Sequence, residues 1–250
     1  MVITLQQFEE YFSRYTADWT WEIQGFIDEQ NRVYPIDSDT KVISTVFERL
    51  SSPVLRTIAS ENGFTVANAN QTTYPDFTLT KFDANGNIIQ RIAIDIKTTY
   101  HLQGRPMLFT LGSYKSFIRN DTKNILYPYT TYTDHWVIGF IYTRNSAFEE
   151  YDLTNIPQVG DIKCPYDLQS IFIREKTDIV GLRAGSGNTA NIGSIKLREP
   201  THFTTANGPF SNFSKAKEAC DHYWKNYENY IKEVSNEADL LAHPDFRKFL

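Results

Sequence analysis

The sequence predicts an α/β (α+β) protein in which helices flank a central mixed β-sheet. Three observations carry that prediction. Amphipathic periodicity of the helical kind marks both ends of the chain. A block rich in β-branched and aromatic residues fills the middle. Within that block, positions 135–144 are apolar almost throughout, the pattern of a strand buried on both faces. With 250 residues, 41% of them hydrophobic, the chain can bury such a core without staples.

The elements follow in order. Leu5, Phe8, Phe12, Tyr15, Trp19 and Ile23 recur at steps of three or four, which predicts an amphipathic helix within 5–30. Pro35 sits in a loop, and Ser38 or Asp39 caps a second helix through Leu50. Pro53 restarts that helix, and Gly63 ends it. Strands are predicted over 64–69, 74–82 and 88–100, with a hairpin turn at 83–87 because Asn85-Gly86 tolerates positive φ. A short helix at 111–119, the buried strand at 135–144 and one or two strands in 161–180 come next. Positions 185–193 form a Gly/Asn/Ser/Thr loop, and a polar amphipathic helix spans 213–233. No repeat or linker interrupts the chain, so 1–250 is taken as one domain.

Composition narrows the function. Cys164 and Cys220 form no CxxC or Cys/His cluster, so a structural zinc site is not expected and a reducing cytoplasm is the expected compartment. The first residues lack the features of a signal peptide, and no apolar run reaches the roughly 18 residues of a membrane span. The net charge of −5 argues mildly against a nucleic-acid partner. Net charge sums the whole surface, however, while DNA meets one cleft.

Chemistry concentrates in Tyr74-Pro75-Asp76 and Asp95-Ile96-Lys97. Residues two apart in a strand face the same side, so Asp95 and Lys97 point together, and the 83–87 turn folds Asp76 back beside them. Two close carboxylates repel and raise each other's pKa, and a hard divalent cation such as magnesium removes the conflict. Such a cation acidifies water, and the Lys97 ammonium can hold that water or a phosphate. These are the parts of a phosphodiester hydrolase. Asp95-x-Lys97 alone reads more simply as an exposed ion pair; with Pro75-Asp76 one hairpin upstream the two readings are even. Glu48 and Lys41 share the polar face of the second helix, which on periodicity alone reads more simply as a solvated charged face. The loop 184–194 has glycines for close backbone approach and Asn188 for an adenine edge, although taken alone it reads more simply as a long flexible turn. Thr110, Ser116, Arg119 and Lys123 suit phosphates or a capped helix.

Taken together, SDTKVISTVFE (38–48), YPDFTL (74–79), AIDIKTTY (93–100), FTLGSYKSFIRNDTKN (109–124), HWVIGFIYTR (135–144) and AGSGNTANIGSI (184–195) resemble the EcoRV-type type II restriction endonucleases of the PD-(D/E)xK nuclease superfamily. The resemblance covers most of 34–195 in one order. It implies a restriction-endonuclease-like fold and a homodimer that cuts double-stranded DNA with Mg2+, at GATATC with a central blunt cut. A cognate DNA methyltransferase belongs to such a system without being a binding partner, and no membrane is involved. Asp76 and Asp95 would hold the metal, Lys97 would assist the nucleophile, and Glu48 would lie near a second metal position. Gly185, Ser186, Gly187, Asn188, Thr189 and Ala190 would enter the major groove, and Asn70 and Gln71 the minor groove. Asp39, Thr40, Lys41, Thr98, Thr110, Ser116 and Lys123 would approach the backbone. Positions 1–35 would be a helical dimerisation region, 36–200 the catalytic and recognition core, and 201–250 a helical segment. The chain departs from the family at Ala190, where the family has Thr, at Thr72-Thr73, and in a C-terminal segment that keeps only YWKNYE (223–228). A non-site-specific nuclease of the same fold and an inert DNA-binding protein are the rival readings; the retained 185–191 loop disfavours the first and intact Asp76, Asp95 and Lys97 the second.

Overall fold

A computed structural model gives the architecture and describes residues 2–70, 72–145, 157–185 and 190–250. Helix α1 (Leu5–Tyr15) opens it. The Thr4 hydroxyl accepts from the Gln7 amide while the Gln7 side chain accepts from the Thr4 amide, satisfying two donors at the helix start. The long helix predicted over 5–30 is not formed. It stops at Tyr15, where the Thr16 hydroxyl donates to the Phe12 carbonyl, and an antiparallel pair follows: β1 (Gly25–Ile27) and β2 (Val33–Pro35). Gly25 permits that pairing, since a Cβ there would lie 2.6 Å from the Tyr34 carbonyl oxygen.

Asp39, of the two candidate caps, starts α2 (Thr40–Glu61) by accepting from the Lys41 and Val42 amides. Pro53 does not divide this helix. Proline removes one backbone donor and crowds the preceding turn, but buried Val54, Leu55, Ile58 and Ala59 hold the second half in place.

The central sheet contains β3 (Thr65–Asn68), β4 (Phe77–Phe82), β5 (Ile88–Tyr100), β7 (Asp134–Arg144) and β8 (Tyr166–Glu175), in the order β3-β4-β5-β7-β8. All neighbours run antiparallel except β5 and β7, which makes the sheet mixed as predicted. The tight turn between β4 and β5 is held by the Asp83 carboxylate, which accepts from the Asn85 and Asn87 amides, with Gly86 at φ +83°. A smaller sheet joins β6 (Thr110–Ser113), β10 (Asn191–Ser194) and β9 (Val180–Ala184), and one helical turn, α3 (Lys176–Ile179), leads from β8 into β9. The helix predicted at 111–119 is replaced by β6 and an irregular turn in which Ser116 leaves helical geometry. The helix predicted at 213–233 is two, α4 (Ala216–Lys225) and α5 (Tyr227–Glu233), separated at Asn226; α6 (Glu237–Ala242) follows.

Strand alternation sends alternate residues to opposite faces. Ile92, Ile94, Ile96, Trp136, Ile138 and Phe140 pack with α1 and α2, burying Phe8 and Phe47. On the other face Val137 and Ile141 join a cluster with Tyr223 and Trp224 of α4. Asp95 and Lys97 share that second face, opposite Val137 and Gly139 in the ladder. The β4–β5 pairing stops at Phe77 and Ile94, whereas β5–β7 pairing continues to Tyr100. From Asp95 onward one edge of β5 is therefore free of β4, and that edge positions the site.

Candidate active site

Asp76 immediately precedes β4, where the ladder ends. Its Oδ2 accepts from the Ile96 amide at 2.6 Å, so a carboxylate occupies a donor that β4 leaves open. This fixes Asp76 beside Asp95. The Lys97 ammonium lies 2.8 Å from Asp95 Oδ1, as strand spacing predicts. Asp95 is 3% exposed, and its Oδ2 is buried with no hydrogen-bond partner among the described residues. Burial pushes the Asp76 carboxyl up to about 7, against the pull of Lys97 and with the Asp95 charge adding to the rise. Burial alone would pull Lys97 down, but Asp95 and Asp76 hold its ammonium above the ordinary lysine value.

This arrangement fits a hard divalent cation. Two carboxylates converge, one has an orphaned buried oxygen, and the other is held at a raised pKa by burial and by its neighbour's charge. Among the described residues no three His, Cys, Asp or Glu side chains converge on one metal position, so Glu48 does not join the pair. It stays close enough for Asp76 and Lys97 to feel its charge.

Tyr74, Phe117, Gly112, Ser113 and Ser116 complete the cleft around these three residues, with Thr72, Thr73 and Asn124 at its rim. A groove continues along the free edge of β5. It is lined by Lys97, Thr98, Thr99 and Tyr100, by Thr40 and Ser44 of α2, and by Thr110. Ser44, Thr99, Tyr100 and Ser113 also line these surfaces and are not marked by the sequence motifs. The hydroxyl run directly after Lys97 was the signal for two of them.

Other expected residues fall elsewhere. Asp39 is occupied as the α2 cap. Lys41 and Glu48, seven apart in α2, share a helix face as expected; Lys41 also lines an outer groove with Val42, Thr45 and Arg49. The buried Ser116 hydroxyl donates to the Lys123 carbonyl, while the Lys123 side chain is exposed. Arg119 pairs with Glu228 and donates to the Lys225 carbonyl, tying the cleft wall to the C-terminal helices. The Asn70 side chain accepts from the Thr72 amide and from both threonine hydroxyls, bracing its own loop. Gly185 and Ala190 stand at the base of the 185–191 loop: the Gly185 amide donates to the Asn191 carbonyl, and the Ala190 carbonyl accepts from Ser113 and Tyr114. That base adjoins the cleft through Ser113. Gln71 and Ser186, Gly187, Asn188 and Thr189 lie outside the described residues. No helix among the described residues is long and apolar enough to cross a membrane.

The family model described as restriction endonuclease EcoRV matches residues 17–250. The chain belongs to the EcoRV restriction endonuclease family. It is 42% identical over 220 residues to the type II restriction enzyme EcoRV of Escherichia coli, covering 86% of this chain and 85% of that enzyme. Members of this family are site-specific deoxyribonucleases, and the mixed sheet described above agrees with their fold. Double-stranded DNA is accordingly the substrate class.

Proposed function

We propose that the chain cleaves GATATC in double-stranded DNA with Mg2+, centrally and bluntly, as a cytoplasmic homodimer whose catalytic residues are Asp76, Asp95 and Lys97. One observation carries the catalytic part: the orphaned Asp95 oxygen beside a second carboxylate and an ammonium, at the free edge of β5. Asp76 and Asp95 would hold the cation, which supplies Lewis-acid polarisation and an acidified water when bound. The chain's own residues do the rest. The Ile96 amide fixes Asp76, and Asp95 fixes Lys97. Lys97 presents its ammonium to the attacking water or a phosphate oxygen. Glu48 adds negative charge near a second metal position. Thr40, Thr98 and Thr110 offer hydroxyls to the DNA backbone along the groove, and Lys41, Lys123 and Asp39 act farther out.

The target rests on the loop. Gly185, Ser186, Gly187, Asn188 and Thr189 match the family's recognition segment, in which Asn188 suits an adenine edge and the glycines admit backbone groups. Ala190 keeps a small apolar contact without the family's hydroxyl. Asn70 and Gln71 meet the minor groove. Sequencing the ends of a plasmid digested with Mg2+ is the test: ends at the centre of GATATC are expected, and ends at another site would refute the target. Asn188→Ala should lose about 1–3 kcal/mol of base discrimination.

A palindrome is matched by a two-fold protein, each copy taking one half-site. Within 1–35, Trp21 is buried against Phe12 and Phe140 and is not available for contact between the copies. Phe26 of β1 is 55% exposed and lines an apolar groove with Val42, Val46 and Leu50 of α2. Apolar surface of this kind favours burial by a second copy. Phe26→Asp should convert a dimer near twice 28.9 kDa to monomer in light scattering; a wild-type monomer at micromolar concentration would refute the dimer.

A further inference from the structure

Behind the cleft wall stands a cation to which Asp76, Asp95 and Lys97 give no role. Lys176, on the single turn α3, is 6% exposed, and among the described residues its Nζ has no hydrogen-bond acceptor. The ammonium lies 4.6 Å from the ring centre of Tyr74 and 5.2 Å from that of Phe117. The two rings stack on each other at 4.3 Å, and both line the cleft. A third lining residue is equally close: a Cβ built on Gly112 would lie 3.9 Å from Lys176 Nζ. Gly112 has φ +91°, a conformation that favours glycine. A side chain at Gly112 would crowd this wall, since the same Cβ would lie 3.2 Å from Phe117 Cζ.

A buried ammonium without an anion is unfavourable, and packing does not require it. An unbranched apolar side chain such as methionine would fill the same space against Tyr74 and Phe117. Burial pulls Lys176 down, while the nearby Asp95 charge works in the opposite direction. The cleft it backs admits a phosphodiester, whose negative charge concentrates as hydrolysis proceeds. A cation already fixed in a low-dielectric wall responds to that charge without rearranging. Tyr74 is itself held from behind, its hydroxyl 2.9 Å from His135 Nδ1, so the screen between the cation and the cleft is rigid.

We propose that Lys176 is a positioning residue of the cleft: from behind Gly112 and the Tyr74–Phe117 wall, its ammonium stabilises the negative charge that builds on the scissile phosphate. The role rests on the nuclease reading of the same cleft. It adds a second, indirect cation to Lys97 and comes from an element far from the Asp95-x-Lys97 motif.

The test compares wild type with Lys176→Met and Lys176→Gln in three measurements: single-turnover cleavage with Mg2+, duplex binding without metal, and melting temperature. Both variants remove the charge, and only the second keeps a polar end. Both should cut about 10- to 100-fold slower. Duplex binding should stay within about threefold, because nonspecific binding draws on many exposed phosphate contacts. Lys176→Met should melt at or above the wild-type temperature, since a buried unpaired charge is gone. A merely structural lysine would give the opposite pairing. Wild-type cutting by either variant would overturn the proposal. So would slower cutting accompanied by a lower melting temperature, by equally weakened binding, or by failure of both variants to fold. If the wild type itself does not cut, the nuclease reading fails; if it cuts and the variants match it, only the role of Lys176 fails.

Discussion

The two halves of β5 are built from one continuous strand but do different things. From Ile88 to Ile94 the strand is paired with β4, and Ile92 and Ile94 are fully buried against α1 and α2. From Asp95 to Tyr100 it is paired with β7 alone, and its side chains are Asp95, Lys97, Thr98 and Thr99 beside a cleft. The first half stabilises the fold by burying apolar area. The second keeps a carboxylate oxygen unpartnered and a carboxyl at a raised pKa, both unfavourable in the free protein. Where pairing ends, the strand has a donor free of β4, the Ile96 amide, and open space beside it, which is where the proposed chemistry lies.

The sharpest way to break this contrast is to exchange the effects of the two halves. Asp76→Ala, at the free edge, should slow Mg2+-dependent cleavage at least about a thousand-fold while the fold persists. Gel-based single-turnover rates with a parallel melting curve would show it. Ile92→Ala, in the paired half, should do the reverse: it should cost about 2–5 kcal/mol of stability, with cleavage per folded molecule unchanged. Urea titration followed by an activity assay below the transition measures both. Equal losses of activity from the two variants would erase the distinction.

A smaller effect tests the far edge of the sheet. Burial pushes the Glu175 carboxyl up to about 7, partly offset by the hydrogen bond from Trp136 Nε1. A pKa raised on folding means that the folded chain binds this proton more tightly. The contribution is therefore full below the ordinary value near 4.5 and is lost as pH rises through about 7. Glu175→Gln keeps the acceptor for Trp136 and should flatten the fall of stability across that window, by no more than about 3 kcal/mol. An unchanged slope of melting temperature against pH would rule this out. The smallest effect belongs to the groove: Thr98→Val should weaken duplex binding by about 1 kcal/mol, the order of one hydrogen bond, in a filter or anisotropy titration.

The same contrast explains what the sequence made legible. Strand periodicity placed Asp95 and Lys97 on one side, and the Asn85-Gly86 turn brought Asp76 back to them, because these are local rules that tertiary packing did not override. After Tyr15 the helical spacing of Trp19 and Ile23 does not yield a helix, because the residues among them serve different surfaces. Trp21 packs into the core beside Phe140, and Phe26 stands on a hairpin that Gly25 makes possible. Pro53 was overruled by the buried residues after it. The recognition residues and the metal-ligand roles came from family resemblance, since Asp-x-Lys and a Gly/Asn loop each have plain alternatives. Lys176 left no local signal at all; its burial depends on Tyr74 and Phe117, both more than fifty positions away.

The most direct test of the central claim is to measure melting temperature and end-mapped plasmid cleavage on one preparation of Asp95→Ala beside wild type. The account predicts discrete fragments from the wild type in Mg2+. It predicts a variant that still folds, although Lys97 loses its 2.8 Å partner, and that cuts at least about a thousand-fold slower. Near-normal cutting by Asp95→Ala, or a collapse of its fold, would contradict it.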